Sequence, residues 1–135
     1  MELAVTEQIT YPEMRLQVIE AVRAFADPHH QRSRWGRYEE GVNYYDDLTL
    51  NVHILYDDCM VLPEPEGSVP TILHAQEVPI FRELENALRP ILDDLRGQPD
   101  EVYVSDPRWS LVVNTASRAL AVMEECDNGS PARGG

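Results

Sequence analysis

One histidine and one aspartate have the spacing of side chains that could share a chemical task. His53 and Asp57 are four positions apart, so on a helix they lie on one face, with Asp46 on the same side two turns earlier. An imidazole and a carboxylate at this spacing can supply part of a metal site or an acid/base pair. A metal needs a third ligand, and His74 and Glu77 are the only nearby suggestions. The alternative is a local hydrogen bond on a solvated face.

A second candidate site lies in residues 28–41, which combine three arginines with aromatic rings. Arg32, Arg34 and Arg37 are interleaved there with Trp35 and with other ring side chains. Guanidinium groups bind phosphate and carboxylate in a forked geometry, and rings can stack on a bound ligand. The segment is therefore a candidate anion-binding loop. In the alternative, the arginines pair with the protein's own carboxylates, and Trp35 anchors the loop to the core.

Aspartate doublets and two cysteines complete the side chains with reactive or charged groups. Asp57 and Asp58 form one doublet, which could face a basic partner or pair with an arginine of the 28–41 segment. Cys59 and Cys126 lack the spacing of zinc ligands, so we expect free thiols. The sequence contains no serine-hydrolase motif and no phosphate-binding loop. We therefore predict no catalytic residue, no metal and no cofactor.

The charge balance restricts the partners. The chain of 135 residues carries 24 acidic and 11 basic residues, a formal net charge of -13. This excess repels nucleic-acid phosphates and anionic lipid, so we expect neither nucleic acid nor membrane as a partner, but a basic protein. No apolar run approaches the roughly 20 residues that span a bilayer, and no signal peptide is recognised, so we expect a cytoplasmic protein. All basic residues are arginine, a bias typical of GC-rich, actinobacterial coding sequences.

The stretch of residues 43–59 is predicted to be the central helix. At about 100° per residue, its apolar and aromatic side chains form one stripe. The members of this stripe are Tyr44, Tyr45, Leu48, Val52, Leu55, Tyr56 and Cys59. Leu50 and Ile54 fall on the opposite side, so such a helix would be covered on two faces. Asn43 as N-cap supports the helix, but apolar residues also alternate over 48–56, and a half-buried strand there stays open.

One helix is predicted before this stretch and two after it. The first has Thr10 as its N-cap and Pro12 in its first turn, and it ends at Asp27. The next begins near Pro79 and ends before Gly97.

The last helix follows a short extended piece around Tyr103. Ser105 is expected to cap this helix, and its apolar stripe continues to near Asp127.

Several motifs resemble those of a known group of proteins. The motifs are Leu55-Tyr56-Asp57-Asp58, Glu77 at the start of a helix, Glu101-Val102-Tyr103-Val104, Pro107-Arg108-Trp109 and Val112-Val113. In this arrangement, over about residues 11–123, the chain resembles a family of small uncharacterised bacterial cytosolic proteins. The resemblance implies a compact, largely helical single domain, and it implies no activity.

We predict an all-α fold, a compact domain resembling a four-helix bundle around the helix of residues 43–59. The alternative is an α+β fold with a strand over 48–56. Residues 1–9 are expected to be a loose arm, 10–125 the single domain and 126–135 a disordered tail.

The function expected from charge is a non-enzymatic protein-interaction module, of the antitoxin or immunity type, that binds a basic partner. The alternative is an enzyme or small-ligand protein whose site combines His53 and Asp57 with the arginines of residues 32–37. Leu16, Ile19 and Phe81 fall outside the apolar stripes and leave room for a homodimer interface.

Overall fold

A computed structural model describes residues 8–35 and 47–128. Within these residues the fold is all-α, as predicted, with six α-helices and no strand. The helices are α1 (Pro12–Ala26), α2 (Pro28–Arg34), α3 (Leu48–His53), α4 (Val78–Asp94), α5 (Asp100–Ser105) and α6 (Trp109–Asp127). A π-helical turn at Ile54–Asp58 continues α3, and two short 3-10 turns at Pro65–Ser68 and Ala75–Glu77 precede α4.

The three long helices enclose the core, and α6 lies at its centre. α6 packs against both α1 and α4. The completely buried side chains of these helices include Val18, Val22 and Phe25 of α1, Phe81, Leu84, Leu88 and Ile91 of α4, and Val112 and Met123 of α6. The described part of the stretch predicted as the central helix, from Leu48 to Asp58, is helical and lies against α1, whereas the middle position between α1 and α4 belongs to α6.

The stretch that carries His53 and Asp57 is helical from Leu48 onward, so the strand alternative over 48–56 is wrong. Asp47 caps α3, because its side chain accepts a hydrogen bond from the Leu50 N–H at 2.7 Å; Asn43, the predicted cap, lies outside the described residues. Leu55 is buried as the stripe predicts, whereas Leu50 is 42% exposed. Only one side of this helix is therefore fully covered.

Two short helices occupy segments in which no helix was predicted. The segment after Asp27 forms α2 instead of a loop, because the Asp27 carboxylate accepts from the His30 N–H at 3.1 Å and Pro28 suits the first turn. The piece around Tyr103 forms α5 instead of an extended lead-in. Ser105 ends α5 and does not cap the last helix, which begins at Trp109.

The helix ends agree with the sequence in part. Tyr11 replaces Thr10 at the N-cap of α1 and makes no side-chain cap bond, whereas Gly97 follows α4 with a φ of 83°, the left-handed conformation predicted for a stop. α6 includes Cys126, which was assigned to the tail, and residues 129–135 lie outside the described part of the chain.

The apolar residues assigned to a homodimer face do not all lie at the surface. Phe81 is completely buried, Ile19 is partly buried against the core, and Leu16 is 61% exposed. The homodimer stays a prediction for which Phe81 supplies no contact area.

Candidate functional site

The two tryptophans of the chain meet beneath the surface between α2 and α6. The ring centroid of Trp35, at the end of α2, lies 6.1 Å from that of Trp109, the first residue of α6. The Phe25 ring of α1 completes the cluster, at 5.7 Å from Trp35 and 6.0 Å from Trp109. Both indoles are about 95% buried, so Trp35 anchors this segment to the core.

Gln31 fixes this aromatic cluster in one arrangement. Its side-chain carbonyl accepts a hydrogen bond from the Trp109 indole N–H at 2.9 Å. Its amide nitrogen donates to the backbone carbonyls of Ala24 and Phe25, at 2.8 and 2.9 Å. Gln31 is itself buried, so these bonds satisfy polar groups that would otherwise be costly to bury. The aromatic cluster is thus held by hydrogen bonds as well as by packing.

A cleft of about 880 Å³ opens above the two tryptophans, between α2, α5 and α6. This volume lies in the range of known ligand pockets. The polar and charged residues that line it are Gln31, Arg32, Asp100, Glu101, Ser105, Asp106, Ser110 and Asn114. The apolar residues that line it are Pro28, Trp35, Pro99, Val104, Pro107, Trp109 and Val113. The cleft therefore combines an apolar floor, formed by the buried Trp35 and Trp109, with a rim of exposed or partly exposed charged residues.

The rim of the cleft is acidic, because three carboxylates face one guanidinium. Asp100, Glu101 and Asp106 line the cleft together with Arg32. Asp100 accepts a hydrogen bond from the Leu48 N–H at 3.0 Å and so ties α5 to the start of α3. The arrangement favours a cationic group over an anion by simple charge complementarity.

Arg108, two residues later in the chain, keeps the Asp106 carboxylate ionised. Arg108 donates to the Asp106 carboxylate from Nε and from the backbone N–H, at 2.9 and 2.8 Å. These bonds, and the positive charge of the guanidinium, lower the pKa of Asp106 to about 2. Arg108 also donates to Asp94 at 2.7 Å. Asp106 therefore remains negative at physiological pH while both of its oxygens serve the chain itself.

The arginine segment contributes to the cleft only in part. Arg32 and Trp35 line the cleft, Arg34 is exposed and is not among its lining residues, and Arg37 lies outside the described residues. Anion binding by these arginines stays a prediction.

His53, Asp57 and Asp58 lie outside the cleft. The His53 Nδ1 is hydrogen-bonded to the Asp57 carboxylate, and both side chains are more than half exposed. Asp58 is exposed as well. The local hydrogen bond that the sequence allowed is thus formed, and Asp57 pairs with His53 rather than with an arginine. A ligand site at these three residues stays a prediction.

The other two suggested metal ligands, His74 and Glu77, make contacts of their own. Glu77 is completely buried, and both of its carboxylate oxygens accept hydrogen bonds from Arg15, at 2.8 and 2.6 Å. The backbone N–H of His74 also donates to Glu77, at 2.9 Å. Across the described parts of the chain, no group of three or more His, Cys, Asp or Glu side chains could hold a metal ion.

The Arg15–Glu77 pair is the buried ionic contact that the sequence analysis missed. Arg15 is only 4% exposed, and it joins α1 to the start of α4 and to the end of α6, where it also contacts Asp127 at 3.0 Å. Burial alone would lower the pKa of Arg15, but the bonds and charges of Glu77 and Asp127 raise it. The sequence contained a signal for the burial of Arg15, because Arg15 shares the buried face of α1 with Val18 and Val22.

Neither thiol is activated. Burial raises the pKa of Cys59, and the charge of Asp58 adds to this effect. Burial, together with the charge and hydrogen bond of Glu77, raises the pKa of Cys126 to about 11. Both cysteines are free thiols, as predicted, and the thiolate form needed for nucleophilic chemistry is scarce at neutral pH.

The tyrosine of the Leu-Tyr-Asp-Asp motif has a structural contact. The Tyr56 hydroxyl donates to Glu85 at 2.5 Å, and the Arg89 guanidinium lies 5.1 Å from the centre of the Tyr56 ring. Burial, with the hydrogen bond to Glu85, raises the pKa of Tyr56. Tyr56 thus fastens the π-helical turn to α4.

Comparison with known proteins gives a family and no activity. A family model described as a domain of unknown function (DUF7945) matches residues 9–131. Comparisons with curated proteins and with solved structures found no match. Among the helices that the structure describes, none is both long and apolar enough to cross a membrane.

Proposed function

Since the chain belongs to the DUF7945 family, a domain of unknown function, we propose its role from the cleft: it is a protein-interaction module that binds a basic segment of a partner protein between α2, α5 and α6. The observation that carries this proposal is the placement of three carboxylates and one guanidinium around an apolar floor that contains both tryptophans. The net charge of the whole chain, -13, has the same sign as the rim.

The net charge of the protein and the apolar surface of the cleft contribute to such binding in different ways. The negative field of the protein attracts a basic partner over a long distance and speeds its approach. Affinity then comes from apolar surface of the cleft that is removed from water; Val104, Val113 and the lining prolines supply most of it, because both tryptophans are already about 95% buried. The buried bonds of Gln31 keep this surface in place, so little conformational freedom is lost on binding.

A basic partner is also what an antitoxin or immunity protein would need. A protein of this type covers and neutralises its target without chemistry, and an acidic surface suits a target that acts on nucleic acid, because such targets are basic. We propose this as the biological setting of the cleft.

Arg32 supports a second candidate, a small zwitterionic ligand such as an amino acid. A guanidinium and carboxylates line the same cleft, so a ligand with both charges finds a complement for each. The cleft volume of about 880 Å³ also suits a small molecule. This candidate differs from the sequence-based alternative, because its site includes Arg32 but neither His53 nor Asp57.

Intrinsic fluorescence tests the proposal, because Trp35 and Trp109 are the only tryptophans in the chain and both line the cleft. We would titrate the protein with a blocked octapeptide of alternating glycine and arginine at low salt. A saturable change in tryptophan emission, with a dissociation constant below about 1 mM, supports a basic segment as the occupant. Raising the salt concentration to about 150 mM should weaken the binding of the peptide.

Matched peptides provide the control. The same octapeptide with citrulline, the neutral isostere of arginine, should bind much more weakly. If the arginine and citrulline peptides behave alike, or neither changes the emission, the basic segment is the wrong occupant. A response to free amino acids alone would favour the zwitterionic ligand.

A further inference from the structure

We infer that Glu101 is the cleft carboxylate that pairs with the partner's basic side chain, and that this side chain is a lysine or arginine whose stem lies along Val104. The inference rests on the proposed function and specifies which residue of the cleft selects the partner.

The other two carboxylates of the cleft already hold parts of the chain together. Asp100 accepts from the Leu48 N–H at 3.0 Å, and this bond would be lost or weakened if a ligand drew the carboxylate away. Asp106 accepts from Arg108 through both oxygens, at 2.9 and 3.0 Å. A cation that bound Asp106 would compete with a guanidinium that is already in place.

Glu101 differs from both. Within residues 8–35 and 47–128 it has no hydrogen-bond or ion-pair partner, and its side chain is exposed while lining the cleft. A new cation can therefore pair with it at no cost to an existing bond. Glu101 is therefore the carboxylate of the cleft at which we expect a cation to bind.

The neighbours of Glu101 indicate the shape of the cation. Val104 lies three residues later in α5, so the two side chains share a face of that helix, and both line the cleft. Val113 also lines the cleft and, like Val104, is partly exposed. A basic side chain with a long aliphatic stem can place its charge at Glu101 while its methylene groups cover this apolar surface. A compact cation has no stem to fill that surface.

The experiment compares two variants that remove the same charge at different places. Glu101→Gln removes it at the cleft, and Glu125→Gln removes it from an exposed position on α6 outside the cleft. With the glycine–arginine octapeptide as probe and tryptophan emission as readout, Glu101→Gln should weaken binding about fivefold. Glu125→Gln should change it less than about twofold.

Two further measurements separate pairing from other effects. Glu101→Asp keeps the charge and should retain most of the affinity. A glycine–lysine octapeptide should bind as the glycine–arginine octapeptide does. The same peptide with diaminobutyric acid in place of lysine keeps the ammonium group but shortens the stem, and it should bind more weakly than the lysine peptide. Equal melting temperatures for wild type and Glu101→Gln would show that the fold is unchanged.

The outcomes distinguish this inference from the proposed function. If the wild type binds the arginine peptide and Glu101→Gln binds it no more weakly than Glu125→Gln does, Glu101 is not the selecting residue, although the cleft still binds basic segments. Equal binding of the short and long ammonium side chains would overturn the part played by Val104. If the wild type binds no arginine peptide, both the inference and the proposed function fail.

Discussion

Arg15 is a charged side chain inside the core, and its environment explains how the fold tolerates it. A guanidinium has five N–H donors. Arg15 uses them on Glu77, on Asp127, and on the backbone carbonyls of Ile72 and Met123. Desolvation of a charge is costly unless it is paired and hydrogen-bonded. Because every donor has an acceptor, the same residue ties three separate segments of the chain together.

Replacing Glu77 with glutamine should therefore be severely destabilising. The variant leaves the buried Arg15 without its closest counter-charge, which costs about 3 kcal/mol in free energy of unfolding. Thermal unfolding followed by circular dichroism should show a melting temperature about 10 °C lower.

The matched control is Glu83→Gln, on α4, the helix that follows Glu77 directly. Glu83 pairs with Arg118 at 2.7 Å, but both side chains are more than half exposed, so its loss should cost less than about 1 kcal/mol. Equal losses in the two variants would contradict the assignment of Arg15–Glu77 as the decisive buried pair.

At the scale of elements, the junction between α1 and α2 places the floor of the cleft. Asp27 is at once the C-cap of α1 and the N-cap of α2. The turn that it makes carries Gln31 back beneath α1, where the Gln31 amide reaches the carbonyls of Ala24 and Phe25. One short polar side chain thus sets the direction of the helix that ends at Trp35.

Replacing Asp27 with alanine should loosen α2 and the aromatic cluster. The lost N-cap bond costs about 1 kcal/mol, and the tryptophan emission should shift to longer wavelength as water reaches the indoles. Asp27→Asn keeps an acceptor for the His30 N–H and should behave nearly as the wild type does. A normal emission spectrum in Asp27→Ala would show that packing alone orients α2.

On the scale of the whole molecule, negative charge outweighs the ion pairs that offset it. Within residues 8–35 and 47–128, most of the pairs join exposed side chains, such as Arg118 with Glu83 and Arg23 with Glu124, and pairs of this kind contribute little to stability. The net charge of -13 makes like charges repel each other across the surface, which disfavours the compact state. The same excess would attract a basic partner.

Salt should therefore have opposite effects on folding and on binding. Raising the salt from about 10 mM to about 150 mM shortens the screening length from about 30 Å to about 8 Å. This screening should raise the melting temperature by about 3 °C, equivalent to about 1 kcal/mol for a domain of this size. A melting temperature that falls with salt would mean that the surface ion pairs outweigh the repulsion.

The long helices were available from the sequence because their signals are local. Pro12, Pro79 and Gly97 mark ends that the structure places within a few residues of the prediction. Apolar residues recur at helical spacing along α1, α4 and α6, and the buried residues of these helices follow that spacing, since burial repeats every 3.6 residues in a helix. The short helices α2 and α5 escaped detection, because six or seven residues are too few for that period to appear.

The sequence by itself determined an acidic, mostly helical protein with two free thiols and no recognised catalytic motif, and the structure excluded the strand over 48–56. Tertiary structure decided which distant residues meet. Arg15 and Glu77 are 62 positions apart, and Gln31 and Trp109 are 78 positions apart. The cleft combines α2 with α5 and α6 from the other half of the chain. Composition and periodicity describe each segment alone, whereas a site depends on how segments pack, so Arg32 and Trp35 were identifiable as candidates and their acidic neighbours were not.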